Sequence, residues 1–459
     1  MVYADFLGNP IDAESEADAR GIDDFVDGML SYESRAVNVL KVADRAPDNT
    51  LANVYAAMLH LFAETPTAAA NAAPYIARAS ATAANASRRV QMALELVEAW
   101  ARDDIPRAEA LGATLNQEFP RDLLVTKLRQ YFAFNRGDFP AMLAAAESVA
   151  STNADIAQWH GMLAFGYEQC DRLDIAEAAA RRALALKTKE PWAHHALAHV
   201  MLTQGRIDEG ARFLESVRHT WTDLNSFMLT HNYWHLGLFY MSQGRFGDAR
   251  ALYDDFIWGA DKDYSQDQIG AVSYLARLEF AGADVSDRWA ELGAYLSTRA
   301  NDVVQPFLSL QYLFGLARAQ RGEAATLFAA IEHAAKDAPL HSRDAWALAA
   351  LPAAQGIMAH ARGAYDEAVT HFDAALPHLM SIGGSHAQRD LFEQLHLDAL
   401  IRAGAHTRAV EKLEERRRFD PDGAPLNTLL AQQYRALGQE HEAASAEARA
   451  TATRIKHTH

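Results

Sequence analysis

One pattern recurs along the second half of the chain: a short break contains a glycine, and a small residue follows five positions later. The breaks are QGRIDEG (204–210), QGRFGDA (243–249), ARGAYDEA (361–368), RAGAHTRA (402–409) and ALGQEHEA (436–443). A helix that ends on a glycine and turns tightly into another helix produces this arrangement. Between the breaks, apolar residues recur at three- and four-residue spacing, and no run of alternating β-branched residues predicts a strand. The sequence therefore predicts an all-α chain of helical hairpins with no sheet.

The hairpins repeat at a period close to 34 residues, which is the separation of Ala409 and Ala443. The best-matched unit carries Tyr233, Leu236, Gly237, Tyr240, Ala249 and Tyr253. These residues fit the W-x2-L-G-x2-Y…A-x3-F pattern of the tetratricopeptide repeat. In such repeats, small residues allow the two helices of a hairpin to approach closely, and we expect this at Gly237 and Ala249. The predicted fold is a tetratricopeptide-type α-solenoid.

The quality of the match divides the chain. We predict one helical-repeat domain over residues 1–459, with better-matched repeats in 151–459 and less regular repeats in 1–150. The Ala-rich run ETPTAAANAAPYIARASATAANASRR (64–89) fits either a loose hairpin or a longer connection.

Charge and cysteine content restrict the partners and the compartment. The net charge of -17 opposes the clustered Lys and Arg that bind a phosphate backbone, so no nucleic-acid partner is expected. The single cysteine, Cys170, cannot form an intrachain disulfide, and we expect an inert packing residue in a reducing cytoplasm. The N-terminal run has acids where a signal peptide would be basic, and no segment is apolar enough to cross a membrane. We therefore predict a cytoplasmic protein with no membrane partner.

Histidines and tryptophan gather on one predicted helix face. In tetratricopeptide folds, positions 2, 5, 9 and 12 of the first helix line the concave groove. His195 and His199 occupy positions 5 and 9 of one repeat, and His231 and Trp234 occupy positions 2 and 5 of the next. His235 lies at position 6, at the edge of this face. These residues are candidate ligand-binding residues.

Three interpretations of these histidines stay open. They are structural rings, or acid-base and ligand-binding groups, or metal ligands. His-x3-His on a helix satisfies the spacing of two metal ligands, but the Glu of HExxH is absent and no nearby acid completes a set. Asp267 and Glu279 are carboxylates that could come from elsewhere. We expect no bound metal and no cofactor.

The segment GGSHAQRD (383–390) is a second candidate region. Ser385 is suited to cap a helix, and the glycines allow a ligand to approach the backbone. His386 could reach the cavity, and Arg389 could hold an anion. The alternative is a Gly-rich connection with Arg389 and Asp390 in a surface ion pair.

Longer motifs point to a particular family. The runs PWAHHALAHVMLTQGRIDEGARFL (191–214), HNYWHLGLFYMSQGRFGDARALYD (231–254), GADVSDRW (282–289) and GGSHAQRDLFEQ (383–394) resemble the tetratricopeptide repeat protein 38 family. The similarity covers about Asp5 to Ala450. The resemblance implies a further acid and histidine in the helix PFLSLQYLFGLA (306–317), where Ser309 and Gln311 stand instead. If those groups share in a chemistry, this chain has lost or altered it.

Two functions compete. The first is a scaffold that binds a small molecule or short peptide in its His- and Trp-lined groove. The second is an enzyme, a hydrolase or lyase, that uses groove histidines as general acid and base or as metal ligands. Because the groove positions carry His and Trp rather than Lys, Arg and Asn, a small, partly aromatic or polar ligand is favoured over an acidic peptide tail.

Overall fold

The computed structural model describes residues 3–458. Within that range the chain forms 25 α-helices, and the exception to the all-α prediction is a small antiparallel sheet between strands β1, Tyr3–Ala4, and β2, Pro10–Ile11. The fold class predicted from the sequence is confirmed. The described chain divides into two compact units: unit 1 is Met1–Ala196 with Thr220–Met228, and unit 2 is Leu197–His219 with Leu229–His459. The prediction of a single domain with a change of regularity at residue 150 stays a prediction.

The first half of the chain contains twelve α-helices. They are α1 Glu16–Ser31, α2 Asn38–Arg45, α3 Thr50–Leu61, α4 Ala68–Thr82, α5 Arg88–Ala101, α6 Ile105–Glu118, α7 Leu123–Asn135, α8 Phe139–Glu147, α9 Ala150–Asn153, α10 Ala157–Gln169, α11 Leu173–Leu186 and α12 Pro191–Thr203. The run 64–89 forms α4, which packs against α3, so the hairpin interpretation of this run is confirmed.

The remaining α-helices follow the same hairpin order. They are α13 Ile207–Val217, α14 Ser226–Ser242, α15 Phe246–Leu252, α16 Ser265–Phe280, α17 Trp289–Leu296, α18 Pro306–Arg318, α19 Glu323–Asp337, α20 Leu351–Ala361, α21 Tyr365–Ala375, α22 His386–Arg402, α23 His406–Arg417, α24 Ala424–Ala436 and α25 Glu440–Lys456. Short 3-10 turns occupy Ser34–Val37, Ala83–Asn85, Arg218–Thr220, Ser297–Arg299 and Leu376–Ile382, and π turns occupy Tyr253–Ile257 and Ala345–Ala350.

The predicted glycine turns are present. Gly205 and Gly244 have φ of 69° and 75°, the left-handed conformation that closes a helix with little strain only at a residue without Cβ. The nitrogen of the next residue then donates back to a helix carbonyl, as Arg245 does to Tyr240 at 2.9 Å. In the first half, Asp103 and Asp171 take the same conformation, with φ of 58° in each. Those turns lack the glycine that makes the repeat visible in the sequence.

In unit 1, apolar faces of successive helices form one core that runs from Leu7 to Met162. Phe25 stacks on Tyr55 with ring centroids 4.7 Å apart. A buried ion pair crosses this core, because Arg89 Nη1 donates to Asp122 Oδ2 at 2.9 Å and its Nη2 donates to Pro10 O at 2.8 Å. This pair fastens β2 to the helices.

In unit 2, the last hairpins fold back onto the first ones. Lys456 on α25 pairs with Asp208 on α13, and His457 Nε2 lies 3.1 Å from the same carboxylate. Ser242 Oγ, at the end of α14, donates to Asp420 at 2.9 Å. The first and last hairpins of unit 2 are therefore in contact.

Candidate functional site

The ring-rich segment that includes His231 lies on α14. Asn225 Oδ1 caps this helix by accepting from Met228 N at 2.9 Å. The His231 ring stacks on Trp234 at a centroid distance of 5.4 Å, and the His235 ring lies 4.8 Å from each of them. All three side chains are buried, with exposed fractions of 8%, 1% and 0%.

Two further histidines of unit 2 join this group. His199 on α12 lies next to His235, with ring centroids 4.6 Å apart. His199 Nδ1 is 3.3 Å from Nε2 of His386, the first residue of α22. We call His199, His231, His235 and His386 the imidazole cluster. The sequence could pair His199 with His195 and His231 with His235 by spacing, but only the packing of three helices brings in His386.

The imidazole cluster is largely buried, and repeat position predicted most of it on the concave groove face. His199 and His235 are fully buried, and only His386 is partly exposed. Burial lowers the pKa of His231 to about 3, so its ring is neutral at physiological pH. The difference arises because helices of later hairpins cover this face of α14, among them α16, whose Arg277 guanidinium lies 5.0 Å above the Trp234 ring.

His195 belongs to unit 1 and has different neighbours there. Its ring stacks on Trp192 at 4.4 Å and lies 5.0 Å from Phe165. Trp192 stacks in turn on Tyr32 at 5.0 Å. Within its own unit, His195 is thus one ring of an aromatic stack and is 1% exposed.

The segment 383–390 is held as a capped helix start. Ser385 accepts from Gln388 N, and the Gln388 side chain accepts from Ser385 N at 2.9 Å, which confirms the predicted cap as a complete capping box. Arg389 donates to the carbonyl oxygens of Gly383 and Gly384. Asp390 pairs with Arg416 on α23, which differs from the predicted Arg389–Asp390 pair. A role for Arg389 in holding an anion stays a prediction.

Unit 2 contains a cavity of about 390 Å³. Its apolar wall includes Leu202, Leu238, Met241, Phe280, Leu397, Phe419 and Leu429. Its polar wall includes Arg277, His386, Asp390, Gln394, Asp398, Arg416 and Asp420. His386 therefore connects the imidazole cluster to the cavity. The volume lies in the range of sites that hold small organic groups.

The guanidiniums of Arg277 and Arg416 and the carboxylate of Asp390 lie together in the polar wall of the cavity. Arg277 is 4% exposed, and its Nη2 donates to Ala387 O at 2.6 Å and lies 3.9 Å from Asp390. Burial lowers the pKa of Arg277 to about 10. Burial alone would raise the pKa of Asp390, but Arg416 and Arg277 hold it at about 2, so Asp390 is ionised. These three charges are largely satisfied by one another.

Asp420 differs from the other acids of the cavity. Asp390 pairs with Arg416, and Asp398 pairs with His360 and Arg402. Asp420 accepts from the Ser242 hydroxyl at 2.9 Å, and no ion pair to it is found among residues 3–458. Burial raises the pKa of Asp420, and the Ser242 hydroxyl, the charge of Arg416 and the Gly423 backbone oppose that rise. A ligand with a positive or hydrogen-bond-donating group would stabilise its ionised form.

Unit 1 holds a buried amine and acid that the sequence analysis missed. Lys127 Nζ donates to Met29 O at 2.6 Å and lies 3.3 Å above the Tyr32 ring. Burial lowers the pKa of Lys127 to about 7 and raises the pKa of Glu190 to about 7. In the sequence, the one indication of this buried amine is Lys127 within the mostly apolar start of α7, LLVTKL.

The other candidate polar groups have structural partners. Ser309 Oγ donates to Asp302 O at 2.8 Å and to Gln305 O at 2.9 Å, and Gln311 is buried beside it on α18. Glu279 pairs with Arg318 and accepts from the Trp289 indole at 3.1 Å. Asp267 accepts from Thr230 Oγ1 at 3.2 Å. Burial raises the pKa of the Cys170 thiol, in agreement with a packing role.

Within residues 3–458, no helix is both long enough and apolar enough to cross a membrane.

The fold defines an α-helical-repeat protein, and unit 2 carries a partly open cavity. No family model matches the chain. Among solved structures, it aligns with the human IFIT1 dimer with m7Gppp-AAAA at 13% identity, covering 96% of this chain and 91% of that chain, with a TM-score of 0.38. The human IFIT1 dimer with PPP-AAAA aligns at 12% identity over 95% and 90% of the two chains, with a TM-score of 0.38. Naa15/Naa10 bound to HypK-THB aligns at 13% identity over 81% and 64%, with a TM-score of 0.25.

The IFIT1 structures correct one prediction. The sequence analysis excluded nucleic acid from the net charge and expected a small-molecule or peptide partner. Proteins that align with this chain over most of its length are found with the oligonucleotides m7Gppp-AAAA and PPP-AAAA, so the prediction of partners is wrong. Net charge describes the whole surface and does not by itself exclude local groups that bind a phosphate.

Proposed function

We propose that unit 2 is a ligand-binding module whose cavity holds a compact group with an apolar body and a cationic or hydrogen-bond-donating head. The group is either a whole ligand or the end of a longer one. The observation that carries this proposal is the partly open cavity of about 390 Å³ with Asp420 in its wall. The alternative of an enzyme that uses the histidines stays a prediction.

The wall supports both parts of such a ligand. Leu238, Met241 and Leu429 provide apolar surface, and the Phe419 ring is 55% exposed at the same cavity. An aromatic ring with that exposure gains from a ligand that covers it, at about 25 cal/mol per Å² of apolar surface removed from water. The head would face Asp420, whose carboxylate has a single hydroxyl as side-chain donor.

Three sequence-based expectations belong to this proposal. The motifs at 191–214, 231–254, 282–289 and 383–394 support membership of the tetratricopeptide repeat protein 38 family. The single Cys170 supports a reducing, cytoplasmic location. Of the residues predicted from the sequence to contact a ligand, His386 lines the cavity. The predicted roles of His195, His199, His231, Trp234, His235 and Arg389 stay predictions.

Fluorescence titration with dansylcadaverine, an aromatic ring system with a primary amine, tests the proposal. Saturable binding is expected in the wild type. Leu238→Trp fills the cavity and Asp420→Asn removes its charge, and each should weaken binding about 10-fold or more, since a hydrogen bond to a charged group contributes roughly 1.5–3 kcal/mol. Leu437→Trp and Asp422→Asn are matched controls, because these exposed residues lie outside the cavity wall.

Two further probes separate ligand classes. Anilinonaphthalene sulfonate carries an aromatic body with an anionic head, and PPP-AAAA carries a phosphate-rich end. Weaker binding of anilinonaphthalene sulfonate, with no sensitivity to Asp420→Asn, is the expected result. Tighter binding of PPP-AAAA that is lost in Leu238→Trp would replace the cationic head with a phosphate. Equal dansylcadaverine affinity in all five proteins would overturn the cavity as the site.

A further inference from the structure

The nitrogen donors in the polar wall of the unit 2 cavity are directed at protein acceptors. Arg416 donates through both terminal nitrogens to Asp390, and Arg277 Nη2 donates to Ala387 O at 2.6 Å. The amide nitrogen of Gln394 also donates to Asp390, at 2.6 Å. A ligand in the cavity therefore meets these groups already engaged, and the oxygens that remain decide what it can be.

Asp398 offers one such oxygen. It lies in the cavity wall, and its Oδ2 accepts from His360 Nε2 at 2.6 Å and from Arg402 Nε at 2.6 Å. No donor to its other oxygen, Oδ1, is found among residues 3–458. Burial alone would raise the pKa of Asp398, but the hydrogen bonds and charges of His360 and Arg402 lower it, so the carboxylate is ionised. Oδ1 is thus an ionised acceptor available to a ligand.

Asp398 and Asp420 lie well apart along the cavity wall. On α22, Asp398 follows Asp390 by eight residues, which is about 12 Å along the helix axis. Asp390 pairs with Arg416, and Asp420 N donates to Arg416 O at 3.2 Å, so Asp420 lies near the Asp390 end of this stretch. The same wall carries apolar side chains, such as Leu397. The cavity therefore has two separate carboxylates and an apolar lining.

We propose that the cavity binds a linear diamine, with one ammonium at Asp420 and the other at Asp398 Oδ1. The inference rests on the proposed function and defines its ligand class more closely. Each ammonium would donate a charge-assisted hydrogen bond to a carboxylate, and the chain between the ammoniums would cover apolar wall. When extended, 1,8-diaminooctane spans a distance of the order that separates the two acids.

Isothermal titration calorimetry of the full chain compares three amines. Octylamine lacks the second ammonium of 1,8-diaminooctane, and 1,3-diaminopropane is too short to reach both acids. The wild type should bind 1,8-diaminooctane about 10-fold or more tightly than either, because each of the others makes only one of the two charged hydrogen bonds. Octylamine has the more apolar chain end, so a site with one carboxylate would favour octylamine over the diamine.

Asp398→Asn should weaken 1,8-diaminooctane binding about 10-fold or more and leave octylamine binding unchanged. Asp373→Asn is the matched control, because Asp373 also has a histidine and an arginine as partners. His396 Nε2 lies 3.0 Å and Arg408 Nη2 lies 2.7 Å from Asp373 Oδ1, and Asp373 is outside the cavity wall. The control should keep wild-type affinity for all three amines, and a circular dichroism spectrum verifies the fold of each variant.

The outcomes separate this inference from the proposed function. Octylamine binding as tight as that of 1,8-diaminooctane, or unchanged diamine affinity in Asp398→Asn, would overturn the diamine and leave the ligand with one cationic head. The first of these comparisons uses the wild type alone, so it does not depend on how any variant folds. Lack of binding by both 1,8-diaminooctane and octylamine would overturn the proposed function and the diamine together.

Discussion

Replacement of Gly237 tests the packing that holds unit 2 together. A Cβ added to this residue would lie 2.5 Å from Tyr274 Cζ and closer still to Oη and Cε2. Tyr274 is fully buried, and its hydroxyl donates to Ala249 O at 2.9 Å. The ring therefore fills the space between Gly237 and Ala249, and Gly237→Ala would displace it.

The cost can be estimated from its parts. Overpacking costs about 1–3 kcal/mol, and loss of the buried Tyr274 hydrogen bond adds about 1–3 kcal/mol. The better helix propensity of alanine returns about 1 kcal/mol. We expect Gly237→Ala to lower the free energy of unfolding by about 2 kcal/mol or more, and Gly237→Leu to lower it further.

Urea unfolding followed by circular dichroism measures this difference. Gly270→Ala is the control, because Gly270 lies on α16 with Tyr274 but has open space around it. That change should stabilise the protein by about 0.5–1 kcal/mol. In a Tyr274→Leu background, Gly237→Ala should cost much less, as a double-mutant cycle would show. A Gly237→Ala protein as stable as Gly270→Ala would refute the close approach.

Three other changes follow from single interactions. Folded Glu190 keeps its proton up to about pH 7 and the unfolded chain releases it near its ordinary pKa of 4.5, so stability falls as pH rises between these values. Glu190→Gln should remove this pH dependence, which amounts to a change on the order of a few kcal/mol in the free energy of unfolding between pH 5 and 7. Urea unfolding at several pH values measures it, and an unchanged dependence would contradict the prediction. Ser385→Ala should lower the free energy of unfolding by about 1 kcal/mol through loss of the cap, whereas no change would mean the capping box is not formed in solution. Arg416→Met should lower it by roughly 1–2 kcal/mol by leaving Asp390 without its partner, and Arg416→Met with Asp390→Asn should recover part of that; equal costs would argue against the pair.

Local chemistry made much of the fold predictable. Gly205 and Gly244 end helices in the predicted positions because left-handed backbone favours glycine whatever the surroundings. The close approach at Gly237 was also predicted, but its partner is Tyr274, which lies 37 residues further along the chain. A repeat pattern shows that a position must be small and does not show which side chain occupies the space.

The candidate site was less predictable, because it depends on contacts between distant helices. Spacing placed His231 and His235 on one face of α14, but whether that face is open or covered depends on α16 and later hairpins. Asp390 and Arg416 each look like ordinary surface charges in sequence, and their pairing appears only in the folded unit. Arg277, which follows the apolar residues of the run SYLARLEF, was a signal that could have indicated a buried polar site.

Thiol protection locates the ligand within the proposed cavity most directly. In a Cys170→Ser background, which removes the only native cysteine, Leu238→Cys places a thiol in the cavity wall and Leu437→Cys places one outside it. Saturating dansylcadaverine should slow maleimide labelling of Leu238→Cys several-fold and leave the labelling rate of Leu437→Cys unchanged. Equal labelling rates of Leu238→Cys with and without the probe would contradict the cavity as the binding site.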